Sequence, residues 1–142
     1  IANAIAAFYA SPHFANVTAS SLYQSKAVGV TDQPDFFNAV VKVDTDLAPL
    51  ALLDFCQSLE SAAKRTRLRH WGERSLDVDV LLYGDDTINN ARLVVPHEGL
   101  FARNFVLIPM LELDPTLMVN GQKLADLPTS QQWQGLEKLT GV

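Results

Sequence analysis

Asp77 and Asp79 are the two residues of this sequence whose type and spacing best suit a divalent cation. On an extended strand, residues two apart point to the same face and lie roughly 6–7 Å from each other. Two carboxylates held in that way repel each other and resist losing water. A Mg²⁺ ion removes both difficulties, because it prefers one or two carboxylates together with phosphate oxygens and water. Taken alone, such a pair more often consists of two incidental acids at a solvated strand end.

A basic cluster directly upstream changes the interpretation of this acidic pair. In a chain whose net charge is −5, the ten residues 65–74 contain Arg65, Arg67, Arg69, His70 and Arg74. Arginine binds phosphates through two parallel hydrogen bonds and keeps its charge when partly buried. Phosphoryl transfer requires metal-binding carboxylates beside such cations, because charge must be neutralised while the attacking and leaving oxygens are aligned. As a separate feature, the cluster is equally compatible with a solvated surface loop.

Two further features suit a flat heterocyclic ligand. Trp71 lies in the polar stretch and is either a lid over such a ligand or a ring folded back onto the core. Asn38 shares a predicted strand face with Phe36, so its amide can read a donor–acceptor edge while the ring stacks on the plane. An asparagine satisfied by backbone groups is the commoner case. His97, considered alone, is typical of a surface histidine.

The elements that must position these residues follow from apolar periodicity and from proline and glycine. Strands are predicted over 17–25, 35–44, 76–83 and 93–95, and loops over 26–34 and 64–74. Helices are predicted over 1–10, from Pro49 along the stripe Leu52, Cys56, Leu59 and Ala63, within 98–113, and as one short helix within 124–139. This order predicts an α+β fold in which helices cover an antiparallel sheet.

Composition limits the class of protein. The 142 residues fit a single domain over 1–142, with no internal repeat or linker. The chain has one cysteine, Cys56, so it forms no internal disulfide, and a reducing cytoplasm is the expected location. No apolar run reaches the roughly 18 residues of a membrane span. The acidic charge argues against a general nucleic-acid binder, and neither common glycine-rich phosphate loop is present.

Four ordered blocks resemble one family. Arg65-x-Arg67 followed by residues 71–84, WGERSLDVDVLLYG, is similar to the signature of the 6-hydroxymethyl-7,8-dihydropterin pyrophosphokinases. The other blocks are 32–38 (DQPDFFN), 93–97 (LVVPH) and 103–110 (RNFVLIPM), so the resemblance covers about residues 1–117. It implies a ferredoxin-like antiparallel sheet with packed helices. It also implies folate biosynthesis by transfer of the β,γ-diphosphate of ATP to the pterin's hydroxymethyl group, with release of AMP.

The resemblance also implies roles for individual residues. Asp77 and Asp79 would bind two Mg²⁺ ions and, with Arg67 and Arg74, would form the catalytic set. The implied ATP contacts are Gln57, Glu60, Arg65, Arg67, Trp71, Arg74, Val80, Arg92, His97 and Arg103. The implied pterin contacts are Ser25, Val28, Phe36, Asn38, Trp71 and Phe105. We expect a monomer that acts on these two small molecules, with no nucleic-acid or membrane partner.

Departures from the family pattern keep two other interpretations open. Glu73 replaces a common proline, and Glu98 stands where an aromatic residue often follows the histidine. These changes allow a catalytically impaired relative that still binds pterin or nucleotide. A ferredoxin-like RNA-binding module that uses the arginine-rich stretch is a third interpretation, which the acidic total disfavours.

The largest departure is at the start of the chain. Family members open with a strand and a tight turn before the first helix, and this sequence begins at Ile1 with the predicted helix. That first strand is central in the implied sheet, so its loss would leave ladder groups unpaired. We therefore expect roughly 10–20 further N-terminal residues in the natural protein.

Overall fold

Three α-helices alternate with nine short strands in the computed structural model, which describes residues 1–25, 36–67 and 76–139, with the backbone alone over 65–67. The helices are α1 Ala2–Ala10, α2 Pro49–Arg67 and α3 Asn104–Leu113. The strands are β1 Phe14–Ala19, β2 Leu22–Ser25, β3 Phe36–Asn38, β4 Val41–Thr45, β5 Ile88–Asn89, β6 Val94–Val95, β7 Met118–Val119, β8 Gln122–Lys123 and β9 Leu136–Leu139. Short 3₁₀ helices cover Leu100–Ala102, Leu124–Asp126 and Pro128–Gln131.

These elements form two compact units, of which the first comprises residues 1–15 and 44–98. Its apolar centre is a ring cluster in which the centroids of Phe8 and Phe55 lie 5.2 Å apart and each lies 4.9 Å from that of Phe14. Such edge and tilted contacts between rings add stability beyond burial alone. The proline at the start of α2 occupies the first turn, where the missing N–H is not needed. The β5–β6 pair also belongs to this unit.

The second unit comprises residues 16–43 and 99–142. Its main sheet has the order β3-β2-β9, and both pairings are antiparallel. Tyr23 of β2, Ile108 of α3 and Leu136 of β9 form one buried cluster, so α3 covers one face of this sheet. β7 and β8 form a separate antiparallel pair. This mixture of helices and small antiparallel sheets agrees with the predicted α+β class.

A carboxylate on α3 ties that helix to the sheet of the second unit. Glu112 Oε2 accepts hydrogen bonds from the Ser21 N–H at 2.8 Å and the Ser21 hydroxyl at 3.0 Å, and Oε1 accepts one from the Tyr23 hydroxyl. Lys138 Nζ of β9 lies 3.9 Å from Oε1. Burial by itself would raise the pKa of Glu112, but these hydrogen bonds and the lysine charge outweigh it and lower the pKa. Burial is the larger cause of the raised pKa of Tyr23, and the hydrogen bond to Glu112 raises it further.

Two of the predicted strands are divided in the structure. The prediction over 17–25 corresponds to β1 and β2, and the prediction over 35–44 corresponds to β3 and β4. Both breaks occur where Ser20 meets Val40. The Ser20 N–H donates to the Val40 carbonyl at 2.8 Å, and the Val40 N–H donates to Ser20 Oγ at 2.9 Å. A serine side chain therefore replaces a backbone acceptor at this point and interrupts the regular ladder.

Three other secondary-structure predictions were wrong. The loop prediction began at residue 64, but α2 continues to Arg67 through Ala, Lys and Arg residues that favour helix. The predicted strand 76–83 has no ladder partner among the described residues and is an irregular segment. The tail forms two 3₁₀ turns and β9 where one short helix was expected. Within the described ranges, no helix has both the length and the apolar character that a membrane crossing needs.

Candidate active site

The segment that carries Asp77 and Asp79 alternates between exposed and buried side chains. Both aspartates are exposed, whereas Val78 between them is partly buried and Val80 is buried with 8% exposure. This alternation is what an extended backbone produces, because successive side chains point to opposite sides. The two carboxylates therefore lie on the same, outward side, as the sequence predicted, although no strand ladder among the described residues supports them.

Hydrogen bonds to other parts of the first unit hold this segment. The Val78 N–H donates to Glu60 Oε2 of α2 at 2.7 Å. The His97 N–H donates to the Leu81 carbonyl at 2.9 Å. These bonds satisfy two backbone groups that a strand partner would otherwise satisfy. The segment is thus positioned by α2 on one side and by the chain after β6 on the other.

A recess of about 250 Å³ opens beside the segment, and its walls belong to the first unit. Predicted ATP contacts or metal ligands in its lining are Asp79, Val80, Arg92 and His97. Leu53 adds an apolar wall and Glu98 an acidic one. His97 Nε2 lies 3.9 Å from Asp79 Oδ2. The structure therefore brings residues from two parts of the chain, 79–80 and 92–97, to one concave, partly charged surface, as ligand sites commonly require.

Arg92 is held at the rim of this recess by α2. Its Nη2 donates to Asp54 Oδ1 at 2.6 Å and to Gln57 Oε1 at 3.1 Å. The sequence predicted both Arg92 and Gln57 as ATP contacts but missed Asp54. The spacing of Asp54 and Gln57 could have indicated that Asp54 also contacts Arg92, because residues three apart share a helix face. The Arg92–Asp54 pair is about half exposed, so solvent screens it strongly.

The donor set of the segment fits a Mg²⁺ ion that keeps water and phosphate ligands. Two exposed carboxylates on one side supply the protein share of such a shell. Across residues 1–25, 36–67 and 76–139, no three His, Cys, Asp or Glu side chains converge as a closed metal cage. Water and phosphate oxygens would then supply the remaining ligands of an ion bound by Asp77 and Asp79.

Cys56 lies on α2 behind this segment. Burial raises the pKa of its thiol to about 11, and the negative charges of Glu60 and Asp79 add to the increase. The side chain is 3% exposed. A thiol with these properties stays protonated at neutral pH, so it serves as a small apolar core residue, as the sequence predicted.

The predicted pterin contacts that the structure describes lie together in the second unit. Ser25 pairs with Phe36 and Tyr23 pairs with Asn38 across β2 and β3, and directly opposed residues in an antiparallel pair share a face. The Asn38 side-chain amide donates to Ser25 Oγ at 3.2 Å. Phe36 is 57% exposed, so its ring is available to a ligand.

Phe105 reaches the same sheet face from α3. It packs against the buried cluster of Tyr23, Ile108 and Leu136. The guanidinium carbon of Arg103 lies 5.8 Å from the centroid of the Phe105 ring, which is a cation–π distance. Arg103 also lies against Gly99, where an added Cβ would come within 2.7 Å of its Cζ and Nε. The pterin-binding role of these residues stays a prediction, and the sequence did not indicate that Leu136 of β9 packs beneath Phe105.

Several predicted contacts lie outside the described residues. They are Val28, Trp71 and Arg74, together with the side chains of Arg65 and Arg67. Their predicted roles stay predictions.

Comparisons with known proteins agree on one family. The model of the 7,8-dihydro-6-hydroxymethylpterin-pyrophosphokinase family matches residues 1–115. A Haemophilus influenzae protein named 2-amino-4-hydroxy-6-hydroxymethyldihydropteridine pyrophosphokinase is 49% identical over 112 residues, which are 78% of this chain and 70% of that protein. Proteins of the same name from Pseudomonas aeruginosa and Methylorubrum extorquens are 42% and 37% identical. Each of these two matches covers 98% of this chain, and 86% and 88% of the relatives.

Proposed function

The chain belongs to the 7,8-dihydro-6-hydroxymethylpterin-pyrophosphokinase family, and on that premise we propose that it transfers pyrophosphate from ATP to 6-hydroxymethyl-7,8-dihydropterin. The reaction releases AMP and is a step of folate biosynthesis. The family match over residues 1–115, which spans the segment of Asp77 and Asp79, is the observation that carries this conclusion. ATP is thus a co-substrate, and both substrates are small molecules.

Asp77 and Asp79 are the proposed ligands of two Mg²⁺ ions. Their outward exposure on one side of an extended segment supports this assignment. When bound, Mg²⁺ would neutralise phosphate charge and orient the transferred group. Arg67 and Arg74 are the proposed cationic partners of the same phosphates, with Arg65 and Trp71 as further ATP contacts.

The recess in the first unit is the proposed nucleotide site. Its apolar walls at Leu53 and Val80 suit a base, and Arg92 and His97 suit phosphate or ribose oxygens. Gln57 holds Arg92 at the rim. Arg103, an exposed residue of the second unit, is proposed as a phosphate contact because the family resemblance implies it.

The sheet face in the second unit is the proposed pterin site. Asn38 would read the edge of the pterin, while Phe36 and Phe105 would stack on its plane. The shared face of Phe36 and Asn38 and the packing of Phe105 from α3 support this proposal. Ser25, Val28 and Trp71 would complete the pocket. We further propose that the sheet is ferredoxin-like, as the antiparallel order β3-β2-β9 under α3 allows.

The proposed mechanism uses alignment and charge neutralisation. The hydroxymethyl group is a weak nucleophile, and the proposed mechanism assigns no side chain as a strong general base. The residues of the chain would hold the hydroxyl oxygen in line with the β-phosphorus and would exclude water. We place the reaction in the cytoplasm, carried out by a monomer; the buried free thiol of Cys56 suits that reducing compartment.

Formation of AMP from ATP, Mg²⁺ and the hydroxymethylpterin tests this function. Asp79→Asn removes a charge from the proposed metal site, and its kcat is expected to fall by about a hundredfold or more. Asp85→Asn is a matched control, because Asp85 is exposed in the turn that follows the segment. Binding of both substrates without AMP in the wild type would refute the activity and indicate a binding-only relative. Equal rates for the two variants would refute the metal assignment.

A further inference from the structure

The amide between the two aspartates makes one short hydrogen bond to a helix side chain. The Val78 N–H donates to Glu60 Oε2 at 2.7 Å. We propose that Glu60 is a positioning residue that orients the Asp77 and Asp79 carboxylates for the metal, and this inference depends on the metal site proposed above. The resemblance implied only an ATP contact for Glu60.

The geometry of the peptide group explains why this bond controls the carboxylates. The Val78 N–H belongs to the rigid plane that joins Asp77 to Val78. Its direction depends on ψ of Asp77 and φ of Val78, and these two rotations help to set the distance between the two carboxylates. A bond that fixes the plane therefore fixes part of the relative placement of both ligands.

This bond and the one from the His97 N–H to the Leu81 carbonyl both hold the backbone of the segment. Among the described residues, no neighbouring strand pairs with 76–83, so no ladder fixes its backbone. A charge-assisted hydrogen bond is about twice as strong as a neutral one. Glu60 sits in the 19-residue helix α2, four residues after the buried Cys56, so the acceptor starts from a rigid and anchored base.

The local charges support a positioning role in addition to the bond. Glu60 brings a third carboxylate into the neighbourhood of Asp79, and both charges act on the same Cys56 thiol. Like charges so placed oppose one another unless a cation or a hydrogen-bond donor compensates them. The Val78 N–H compensates Glu60, which leaves the two aspartates for the cation.

Two isosteric or near-isosteric substitutions separate geometry from charge. Glu60→Gln keeps an acceptor oxygen at the same reach but removes the charge. Glu60→Asp keeps the charge but shortens the side chain by one methylene, so it loses the reach. Glu60→Ala removes both the acceptor oxygen and the charge. Ser61→Ala is the control, because Ser61 is the exposed neighbour of Glu60 on α2. A positioning role predicts that Glu60→Gln weakens metal binding much less than Glu60→Ala does, and that Glu60→Asp weakens it as much as Glu60→Ala does.

The primary readout is Mn²⁺ binding to the full chain with α,β-methylene-ATP, measured by electron paramagnetic resonance. Glu60→Ala and Glu60→Asp are expected to weaken Mn²⁺ binding about tenfold, and Glu60→Gln less than about threefold. The Val78 amide resonance in a ¹⁵N correlation spectrum is the second readout. It should shift upfield and exchange faster in the Ala and Asp variants, and it should stay near its wild-type position in the Gln variant.

Three results would overturn the inference. Unchanged Mn²⁺ binding in folded Glu60→Ala would do so, and so would an unmoved Val78 amide. Strong weakening in Glu60→Gln with normal binding in Glu60→Asp would show that charge, not orientation, matters. If the Glu60→Ala variant does not fold, the comparison of Glu60→Gln with Glu60→Asp still distinguishes orientation from charge. Both readouts are independent of turnover, so a wild type that releases no AMP would refute the proposed function without deciding this inference.

Discussion

The Glu112 carboxylate allows a quantitative prediction for the unit that carries the proposed pterin contacts. Glu112→Ala removes the acceptor of three hydrogen bonds that link α3 to β2 and the residue before it. Tyr23 is only 1% exposed, so its hydroxyl would lose its partner where water replaces it poorly. An unpaired buried group costs about 1–3 kcal/mol, and the partly exposed Ser21 bonds add less than about 1 kcal/mol.

We therefore expect Glu112→Ala to lower the free energy of unfolding by about 1–4 kcal/mol. For a chain of this size, the corresponding fall in Tm is roughly 10 °C. Glu112→Gln keeps an acceptor and should cost about 1 kcal/mol. Urea unfolding at pH 7 measures these values. Glu137→Gln is the matched control, since this glutamate is exposed on β9. Tyr23→Phe in the background of Glu112→Ala should add little, because the acceptor is already absent.

The pH dependence of stability gives a second check on the same residue. The pKa of Glu112 is lower in the folded protein than its ordinary value, so the unfolded state binds the proton more readily. The stabilisation is therefore complete above the unfolded pKa, about 4.3, and disappears as the pH falls through the folded pKa. Wild type and Glu112→Gln should differ most above about pH 5 and converge in acid. A difference that stays constant from pH 3 to 7, or a loss below 0.5 kcal/mol in Glu112→Ala, would refute the reasoning.

Three further predictions concern single contacts. Asp54→Ala should leave Tm nearly unchanged, because its exposed pair with Arg92 is worth under about 1 kcal/mol, but it should raise the KM for ATP about fivefold by freeing the guanidinium. An unaltered KM would contradict a positioning effect on Arg92. Gly99→Ala should displace the Arg103 guanidinium, 2.7 Å from the new Cβ, and should lower kcat/KM at least about tenfold with little change in Tm; wild-type kinetics would contradict this. Cys56 should resist an aromatic disulfide reagent in the native state at pH 7, because its thiol is buried and about one in ten thousand is ionised. The thiol should react fully in denaturant. Rapid labelling of the native protein would contradict the burial.

Local chemistry in the sequence was enough to predict most helices and to indicate the family. The apolar spacing of Ile5 and Phe8 predicted α1, and a proline followed by a regular stripe predicted the start of α2; both helices were confirmed. The family resemblance was also confirmed by the comparisons. These features succeed because helix periodicity and short motifs depend on residues that are neighbours in sequence.

Two of the predictions that failed depend on contacts between distant residues. Whether 76–83 joins a ladder depends on a partner strand, which its own apolar and acidic pattern does not contain. The break near Ser20 exists because that side chain meets Val40, twenty residues away. β9 was missed because its alternation is weak over four residues.

The opening pair of aspartates shows the same division. Their spacing alone determined that Asp77 and Asp79 point to one side, because period two is a property of any extended chain. Only the tertiary structure decided what holds that segment, through the bond from Val78 to Glu60, and what lies beside it, through the approach of His97. Hydrogen bonds across tens of residues depend on the packing of whole elements, and a local pattern does not specify that packing.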